Sequence, residues 1–234
     1  MKPNKIVDRQ EWLSARRALL EMEKAHTRKK DEITRVRQAL PWVKLKKNYK
    51  FQTENGEVLM PELFGDHSQL IVYHFMFGPE WQEGCVSCSF WADNFNGLAP
   101  HLAEKDIAFV AISSAPMSEI EPFKKRMGWS FDWVSSAPSS FNSDLDVGFG
   151  PDRPTDRPLM YNFEEIESAF MDEMHGTSVF VKSDDGEIYH TYSTYGRGLD
   201  ITNAAYSYID MTPKGRNEAP EGNPMSWVKH HDAY

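Results

Sequence analysis

The chain has 234 residues, of which 40% are hydrophobic and 13% aromatic, and this is enough apolar surface for one substantial core. Its formal net charge of -9 argues against a nucleic-acid partner, because phosphate backbones are bound by clustered Lys and Arg. No apolar run is long enough to cross a membrane, and the N-terminus has no apolar signal segment. We therefore expect a cytoplasmic protein that does not contact a membrane.

The first predicted element is a long helix from about Asp8 to Ala39. Asp8 and Glu11 fit a capping box, apolar residues recur at helical spacing, and Pro41 ends the pattern. The middle of the helix is nearly all polar, so we expect it to be exposed or kinked. A helix of this length outside a small core often packs on a second subunit, which predicts a homodimer formed through this helix or through the insertion described below.

Strand and helix patterns alternate along the rest of the chain. The dipeptide Asn55-Gly56 predicts an early hairpin. In chain order, the pattern then gives a buried strand at 70–77, a helix after residue 85, a strand at 107–112, a helix at 118–126, a strand at 131–135, a hairpin of 177–182 with 187–192, and a helix at 199–211. This alternation, followed by a hairpin and a helix, predicts an α/β protein with a central mixed sheet.

Two regions are not needed for this arrangement. Residues 138–176 are too long for a simple loop, so we interpret them as an insertion, with a helix predicted at 162–174. Residues 213–234 are rich in Pro, Gly and charge and predict a loose C-terminal tail. The predicted organisation is a helical extension at 1–42, a domain at 43–212 and a tail at 213–234.

The only two cysteines, Cys85 and Cys88, form a C-x-x-C at the start of the helix that follows the first buried strand. In a reducing compartment this spacing indicates a catalytic or metal-binding role rather than a structural disulfide. A helix start stabilises a thiolate through its free amides and its dipole, and the thiolate is the form that attacks disulfides. By position, Cys85 is the predicted nucleophile and Cys88 the resolving thiol.

The motif GCVSCSFWADNF at 84–95, the strand VYHFMF at 72–77 and the segment HTYSTYGRGLD at 190–200 together resemble a largely bacterial thioredoxin-like family. This family is domain of unknown function 899 (DUF899), described as predicted dithiol-disulfide oxidoreductases, and the resemblance runs from the first helix to about residue 212. It implies a thioredoxin-like fold with an insertion before the last β-hairpin. It also implies a thiol-disulfide oxidoreductase that needs no cofactor and acts on a thiol or disulfide substrate.

The sequence departs from better-known relatives at two places. Thioredoxins carry a cis-proline opposite the dithiol, but this chain has Gly176-Thr177 there, so we expect Thr177 to contact substrate and the substrate to be a small or specific thiol compound. Peroxiredoxins carry Pro and a hydroxyl residue at fixed spacing before one reactive cysteine. Pro79 precedes Cys85 by one residue too few, which disfavours a peroxiredoxin mechanism.

The charges around the dithiol oppose a thiolate in part, because Glu80 and Glu83 lie close in sequence. Arg197, in the turn after the last strand, is the best candidate for an activating cation and substrate contact. The alternative is a surface arginine that caps a helix entry. Trp81 is a candidate for the rim of the substrate site, with packing on the core as its alternative.

The sequence is also compatible with two other functions, a metal site and a non-enzymatic module. A zinc site of Cys85, Cys88 and His190 would have only three ligands, so we expect no metal. Residues His74 and His175 are equally consistent with packing roles. The main alternative to an enzyme is a non-enzymatic binding or redox-sensing module, in which residues 192–195 and the insertion frame a pocket. Repeated turnover of a disulfide would separate the enzyme from the sensor.

Overall fold

The computed structural model describes residues 4–151, 153–219 and 221–234. It divides the chain into two compact units, Met1–Pro41 and Trp42–Tyr234. In the first unit, α1 (Arg9–Gln38) begins where the Asp8 carboxylate accepts a hydrogen bond of 2.8 Å from the Glu11 amide. The helix runs unbroken through its polar middle and buries none of its residues. Among the described residues, no helix is long and apolar enough to span a bilayer.

The second unit is built on an eight-stranded mixed sheet with the order β1-β10-β9-β4-β5-β6-β2-β3. Its strands are β1 (Val43–Lys44), β2 (Lys50–Thr53), β3 (Gly56–Leu59), β4 (Gln69–His74), β5 (Ile107–Ser113), β6 (Asp132–Ser135), β9 (Gly176–Lys182) and β10 (Ile188–Tyr195). A separate two-stranded ladder joins β7 (Met160–Tyr161) to β8 (Glu164–Glu165). The early hairpin predicted at Asn55-Gly56 is β2-β3.

The centre of the sheet has thioredoxin-like topology. Strand β4 pairs in parallel with β5 and antiparallel with β9, and β5 pairs in parallel with β6. Helices α2 (Val86–Ala92) and α3 (Ala99–Ala103) connect β4 to β5, and α4 (Met117–Arg126) connects β5 to β6. The sequence-based expectation of an α/β thioredoxin-like fold with a central mixed sheet is therefore confirmed.

The pleat of β4 divides its side chains between two cores, since successive residues face opposite sides of a sheet. Tyr73 and Phe75 belong to the cluster that includes Cys88 and Trp91. Leu70 and Val72 belong to the other cluster, with Phe51, Phe141 and Phe180 among its members. The helix that carries the dithiol, α2, thus packs on one face of the sheet, against aromatic side chains.

The predicted helix at 162–174 is wrong. Asn162 and Phe163 have φ of 52° and 67°, so the chain reverses tightly there and forms the turn between β7 and β8 instead. The only helix of the insertion among the described residues is the short α5 (Phe141–Asp144). The expected last helix also differs, because a 3-10 helix (Gly196–Thr202) precedes α6 (Ala204–Ile209), whose start is capped by the Asn203 side chain.

Glu173 fastens the end of the insertion to the sheet. Its carboxylate accepts hydrogen bonds from the Phe77 amide (2.6 Å), the Ser114 amide (3.1 Å) and the Asn142 side chain (2.9 Å). Burial raises the pKa of Glu173 to about 7, although these hydrogen bonds favour the ionised form. Because Phe77 and Ser114 follow the ends of β4 and β5, Glu173 sets the path of the chain between β4 and the dithiol.

The C-terminal tail is not a loose extension, contrary to the expectation from its composition. Val228 and His230 are buried, and Trp227 makes an edge contact with Phe90 of α2. Upstream in the tail, the Arg216 guanidinium lies 3.7 Å from the centre of the Tyr206 ring. The sequence concealed this packing because the few residues that anchor the tail stand among many Pro, Gly and charged residues.

Candidate active site

The two cysteines lie where the chain turns from β4 into α2. Cys85 is the N-cap residue of α2, and its amide donates a hydrogen bond of 3.0 Å to the Met76 carbonyl. Gly84, just before it, is required by packing, because a Cβ there would lie 2.6 Å from the Phe123 ring and 2.7 Å from the Phe75 ring. The turn that presents Cys85 is therefore held between aromatic side chains.

The Cys85 thiol is the more acidic of the pair. The two cysteines are 3.7 Å apart, and a hydrogen bond from Cys88 is the main cause that lowers the pKa of Cys85, to about 7. The amides of Cys88 and Ser87 and the Ser87 hydroxyl act in the same direction, while burial opposes them. These donors belong to the first turn of α2, as expected for a thiolate at a helix start.

The Cys88 thiol is protonated and enclosed. It is buried in the aromatic cluster, and burial together with the neighbouring Cys85 raises its pKa well above the ordinary value. The nearby Met76 amide and Tyr73 hydroxyl act in the opposite direction. One half-buried, acidic thiol beside one buried, weakly acidic thiol is the arrangement that a nucleophile and a resolving thiol require.

Tyr73 is a site residue that the sequence analysis missed. Its phenol is buried beside Cys88, and its oxygen has no hydrogen-bond partner of good geometry among the described residues. Burial and the adjacent Cys88 hold the pKa of Tyr73 well above its ordinary value, so the hydroxyl remains a donor. The signal was available, because the alternation of β4 places Tyr73 on the face that α2 covers.

The acidic residue closest to Cys85 is neutralised by residues far away in sequence. Glu83 forms an ion pair with Arg126 of α4, and its second oxygen lies 3.5 Å from Nδ1 of His230 in the tail. Arg126 also pairs with Asp232 at 2.7 Å. The repulsion of a Cys85 thiolate that was expected from Glu83 is therefore offset by Arg126 of α4.

The other predicted site residues, Thr177, Trp81 and Arg197, differ in their surroundings. Thr177 lies in β9, in register with Tyr73 of β4, and Trp81 packs against the aromatic cluster that contains Cys88. Arg197 points into solvent, with 88% of its side chain exposed, and pairs with Asp200 at 3.2 Å. The hydrogen bonds that lower the pKa of Cys85 come from Cys88 and Ser87, so the role of Arg197 as an activating cation stays a prediction.

A cavity of about 290 Å³ opens beside the dithiol helix, with Trp91, His175, Arg197, Tyr206 and Met225 in its wall. Tyr161 contacts two residues of the cavity wall, His175 and Gly196, and its hydroxyl is near enough to Cys88 to respond to its charge. Its hydroxyl donates to the His175 carbonyl at 3.0 Å and accepts from the Gly196 amide at 3.2 Å, and ionised Cys88 would raise its pKa further. A larger cavity of about 550 Å³ lies elsewhere in this unit, with Asn55, His67 and Trp133 in its wall. Neither cysteine lines either cavity.

His190, the third candidate zinc ligand, belongs to a different network. Its Nε2 lies 2.7 Å from the Ser193 hydroxyl, which is 2.8 Å from Ser178, and Ser178 is 2.8 Å from Nε2 of His74. Burial lowers the pKa of His74 to about 3. Within the described parts of the chain, no group of three or more His, Cys, Asp or Glu side chains is placed to hold a metal ion.

Fold and site together define a thioredoxin-like protein with a dithiol at the start of α2. The sequence profile of DUF899, described as a bacterial protein of unknown function, matches residues 1–234, and the chain belongs to this family. The match therefore includes the tail beyond residue 212. Comparison with curated proteins gave no match.

Several solved structures resemble this chain. Peroxidoxin BcpB from Mycobacterium tuberculosis is 16% identical, with 73% of this chain and 97% of that chain covered and a TM-score of 0.44. A PrxQ mutant from Xylella fastidiosa is 12% identical, with 71% and 95% covered and a TM-score of 0.45. A hypothetical protein from Sinorhizobium meliloti is 14% identical, with 73% and 82% covered and a TM-score of 0.41.

The first testable prediction concerns the two thiols separately. In the reduced protein at pH 7, iodoacetamide should modify Cys85 and spare Cys88, because only Cys85 combines access with a lowered pKa. Cys85→Ser should then abolish fast alkylation, whereas Cys88→Ser should leave a reactive thiol. Mass spectrometry of tryptic peptides measures both, and alkylation in urea serves as the control in which either single variant reacts fully. Equal reactivity of the two folded variants would contradict the assignment.

Proposed function

We propose that the protein is a thiol-disulfide oxidoreductase in which Cys85 is the nucleophile and Cys88 the resolving thiol. The observation that carries the proposal is the opposite displacement of the two thiol pKa values within one C-x-x-C. Adjacent groups whose environments separate their pKa values in this way are typical of sites that divide a reaction between two roles. The aromatic core around Cys88 supports it, because it protects the resolving thiol from solvent reagents.

The reaction follows from these roles. The Cys85 thiolate attacks one sulfur of the substrate disulfide, forms a mixed disulfide, and displaces the first thiolate, which takes up a proton. Cys88 then loses its proton and attacks the Cys85 sulfur, so that the Cys85–Cys88 disulfide forms and the second thiolate leaves. The substrate gains two electrons and the protein loses two, and a dithiol reductant must restore the protein.

Tyr73 would assist the second step. A buried Cys88 thiolate is costly to form, and the Tyr73 hydroxyl is a neighbouring donor that lacks a partner of good geometry in the reduced protein. As Cys88 ionises, the hydroxyl can donate to it, and a hydrogen bond to a charged group is stronger than one to a neutral group. The Met76 amide supplies a second donor from the backbone.

The substrate proposed is a small disulfide that carries a carboxylate. The cavity beside α2 has the volume for part of such a molecule, with Trp91 and Met225 as apolar contacts. The exposed guanidinium of Arg197 is free to rotate from Asp200 toward a carboxylate. Trp81 and Thr177 complete the proposed substrate contacts. The homodimer and the cytoplasmic location stay predictions.

Turnover tests the function against the alternative of a redox sensor. With dithiothreitol as reductant, the protein should reduce cystine over many cycles, whereas a sensor would react once. Arg197→Ala should raise KM for cystine roughly two- to fivefold, as expected for one exposed ion pair. Hydroxyethyl disulfide, which has no carboxylate, should show no change and serves as the control substrate.

Three outcomes of this assay would contradict the proposal in different ways. A single turnover would favour the sensor. Consumption of hydrogen peroxide faster than of any disulfide would show that the substrate class is wrong. Equal losses on cystine and on hydroxyethyl disulfide in Arg197→Ala would remove the carboxylate contact. Insulin reduction is expected to be slow, and brisk reduction would show that Gly176 and Thr177 replace the proline adequately.

Tyr73→Phe tests the resolving step. The variant keeps the ring packing and removes the hydroxyl, so the mixed disulfide at Cys85 should persist roughly ten- to a hundredfold longer, the value of one hydrogen bond to a charged group. Rapid acid quenching and mass spectrometry measure this lifetime, and alkylation of Cys85 at pH 7 should be nearly unchanged. Tyr49→Phe, on the other core, is the control. An unchanged mixed-disulfide lifetime would show that Tyr73 only packs.

A further inference from the structure

Residues 227–232, named here the C-terminal strap, contact the dithiol element on both sides of the cysteines. On the N-terminal side, Nε2 of His230 lies 3.0 Å from the carbonyl oxygen of Gly84, the residue before Cys85. On the C-terminal side, Trp227 packs on Phe90 and Nδ1 of His231 lies 2.6 Å from the Asp93 carboxylate. Gly84 and Asp93 bracket α2, so the strap spans the whole helix that carries the dithiol.

The C-terminal strap is partly buried in the second unit. His230 is 5% exposed, and its ring lies 5.3 Å from the ring of Phe123 in α4. The Gly84 carbonyl can only accept, so Nε2 of His230 is the donor in their hydrogen bond. The charged groups that face His230 are Glu83 from the dithiol loop, Arg126 from α4 and Asp232 from the strap itself.

We infer that His230 is a positioning residue for the Cys85 thiolate. It acts through the Gly84 carbonyl, because the hydrogen bond that it donates there fixes the peptide bond between Gly84 and Cys85. With the peptide fixed, the Cys85 sulfur stays beside the first turn of α2, where the free amides favour its thiolate. The inference rests on the proposed function, since it concerns the reactivity of the proposed nucleophile.

The geometry explains why the strap affects Cys85 more than Cys88. Cys88 is fixed by the aromatic cluster and by the Met76 amide, neither of which belongs to the strap. Cys85 stands at the start of α2, where its backbone bonds to Met76 and Ser89 and its partial packing against the aromatic cluster hold it. The contact of His230 with the Gly84 peptide adds a restraint from outside the element on the direction of the Cys85 sulfur.

The test compares the pH dependence of Cys85 alkylation in the full-length reduced protein and in His230→Phe, which fills the space without a donor. The variant rate should fall about fivefold at pH 7, as for a pKa raised from about 7 by roughly one unit, and should converge with the parent above pH 9. His230→Gln, which retains a donor, should recover most of the rate. His231→Ala is the matched control, because its partner Asp93 lies at the far end of α2.

The outcomes distinguish a positioning role of His230 from a folding defect and from a failure of the proposed function. Global unfolding would raise the alkylation of both cysteines, the opposite of the predicted loss at Cys85. If His230→Phe does not fold by circular dichroism, His230→Leu replaces it, since it also removes the donor to the Gly84 carbonyl and should shift the profile in the same direction. An unshifted profile in the folded variant, or a His230→Gln profile as impaired as that of His230→Phe, overturns the inference. A shifted profile in a protein without turnover would overturn only the proposed function.

Discussion

The placement of Cys85 at the start of α2, directly beside the buried Cys88, is the constraint on which the proposed chemistry depends. The neighbouring Cys88 lowers the pKa of the half-buried Cys85, while burial keeps Cys88 itself protonated. That asymmetry needs two environments within one helical turn: free amides at the start of α2 for Cys85, and an apolar enclosure for Cys88. Each main feature of the second unit contributes to one of these environments.

The enclosure comes from the sheet. Strand β4 lies inside the sheet, between β5 and β9. Its Tyr73 side chain and the following Phe75 side chain are buried and form the base on which α2 packs. The open side of α2 is covered by α6 and the tail, where Phe90 meets both Tyr206 and Trp227. Glu173 connects the insertion to the same edge of the sheet. The insertion and the tail therefore help to hold α2 and the chain that leads into the dithiol in place.

The sequence predicted the parts of this structure that depend on short-range patterns. The strand before the dithiol, the helix at Cys85 and the long first helix all follow from apolar periodicity and capping residues near one another in the chain. The assignment of the two cysteines to one element needed only their spacing. The thioredoxin-like topology followed from the order of the elements.

The parts that the sequence did not predict depend on residues distant in the chain. Arg126 and His230 reach Glu83 and Gly84 from more than forty residues away, and no local pattern marks them. The helix expected at 162–174 had suitable composition, but the positive φ angles at Asn162 and Phe163 form a hairpin there instead. Tyr73 was visible as a strand residue, yet its proximity to Cys88 depends on how α2 packs across the sheet.

A redox titration with mass detection tests the central claim most directly. The reduced protein is equilibrated at a series of potentials, quenched with acid, and scored for the intramolecular Cys85–Cys88 disulfide. We predict one transition with the slope of a two-electron couple and a midpoint between roughly -270 and -120 mV, the range of catalytic dithiols. Sulfenic acid or intermolecular dimers as the only products, or a disulfide that resists reduction below about -300 mV as structural ones do, would contradict it.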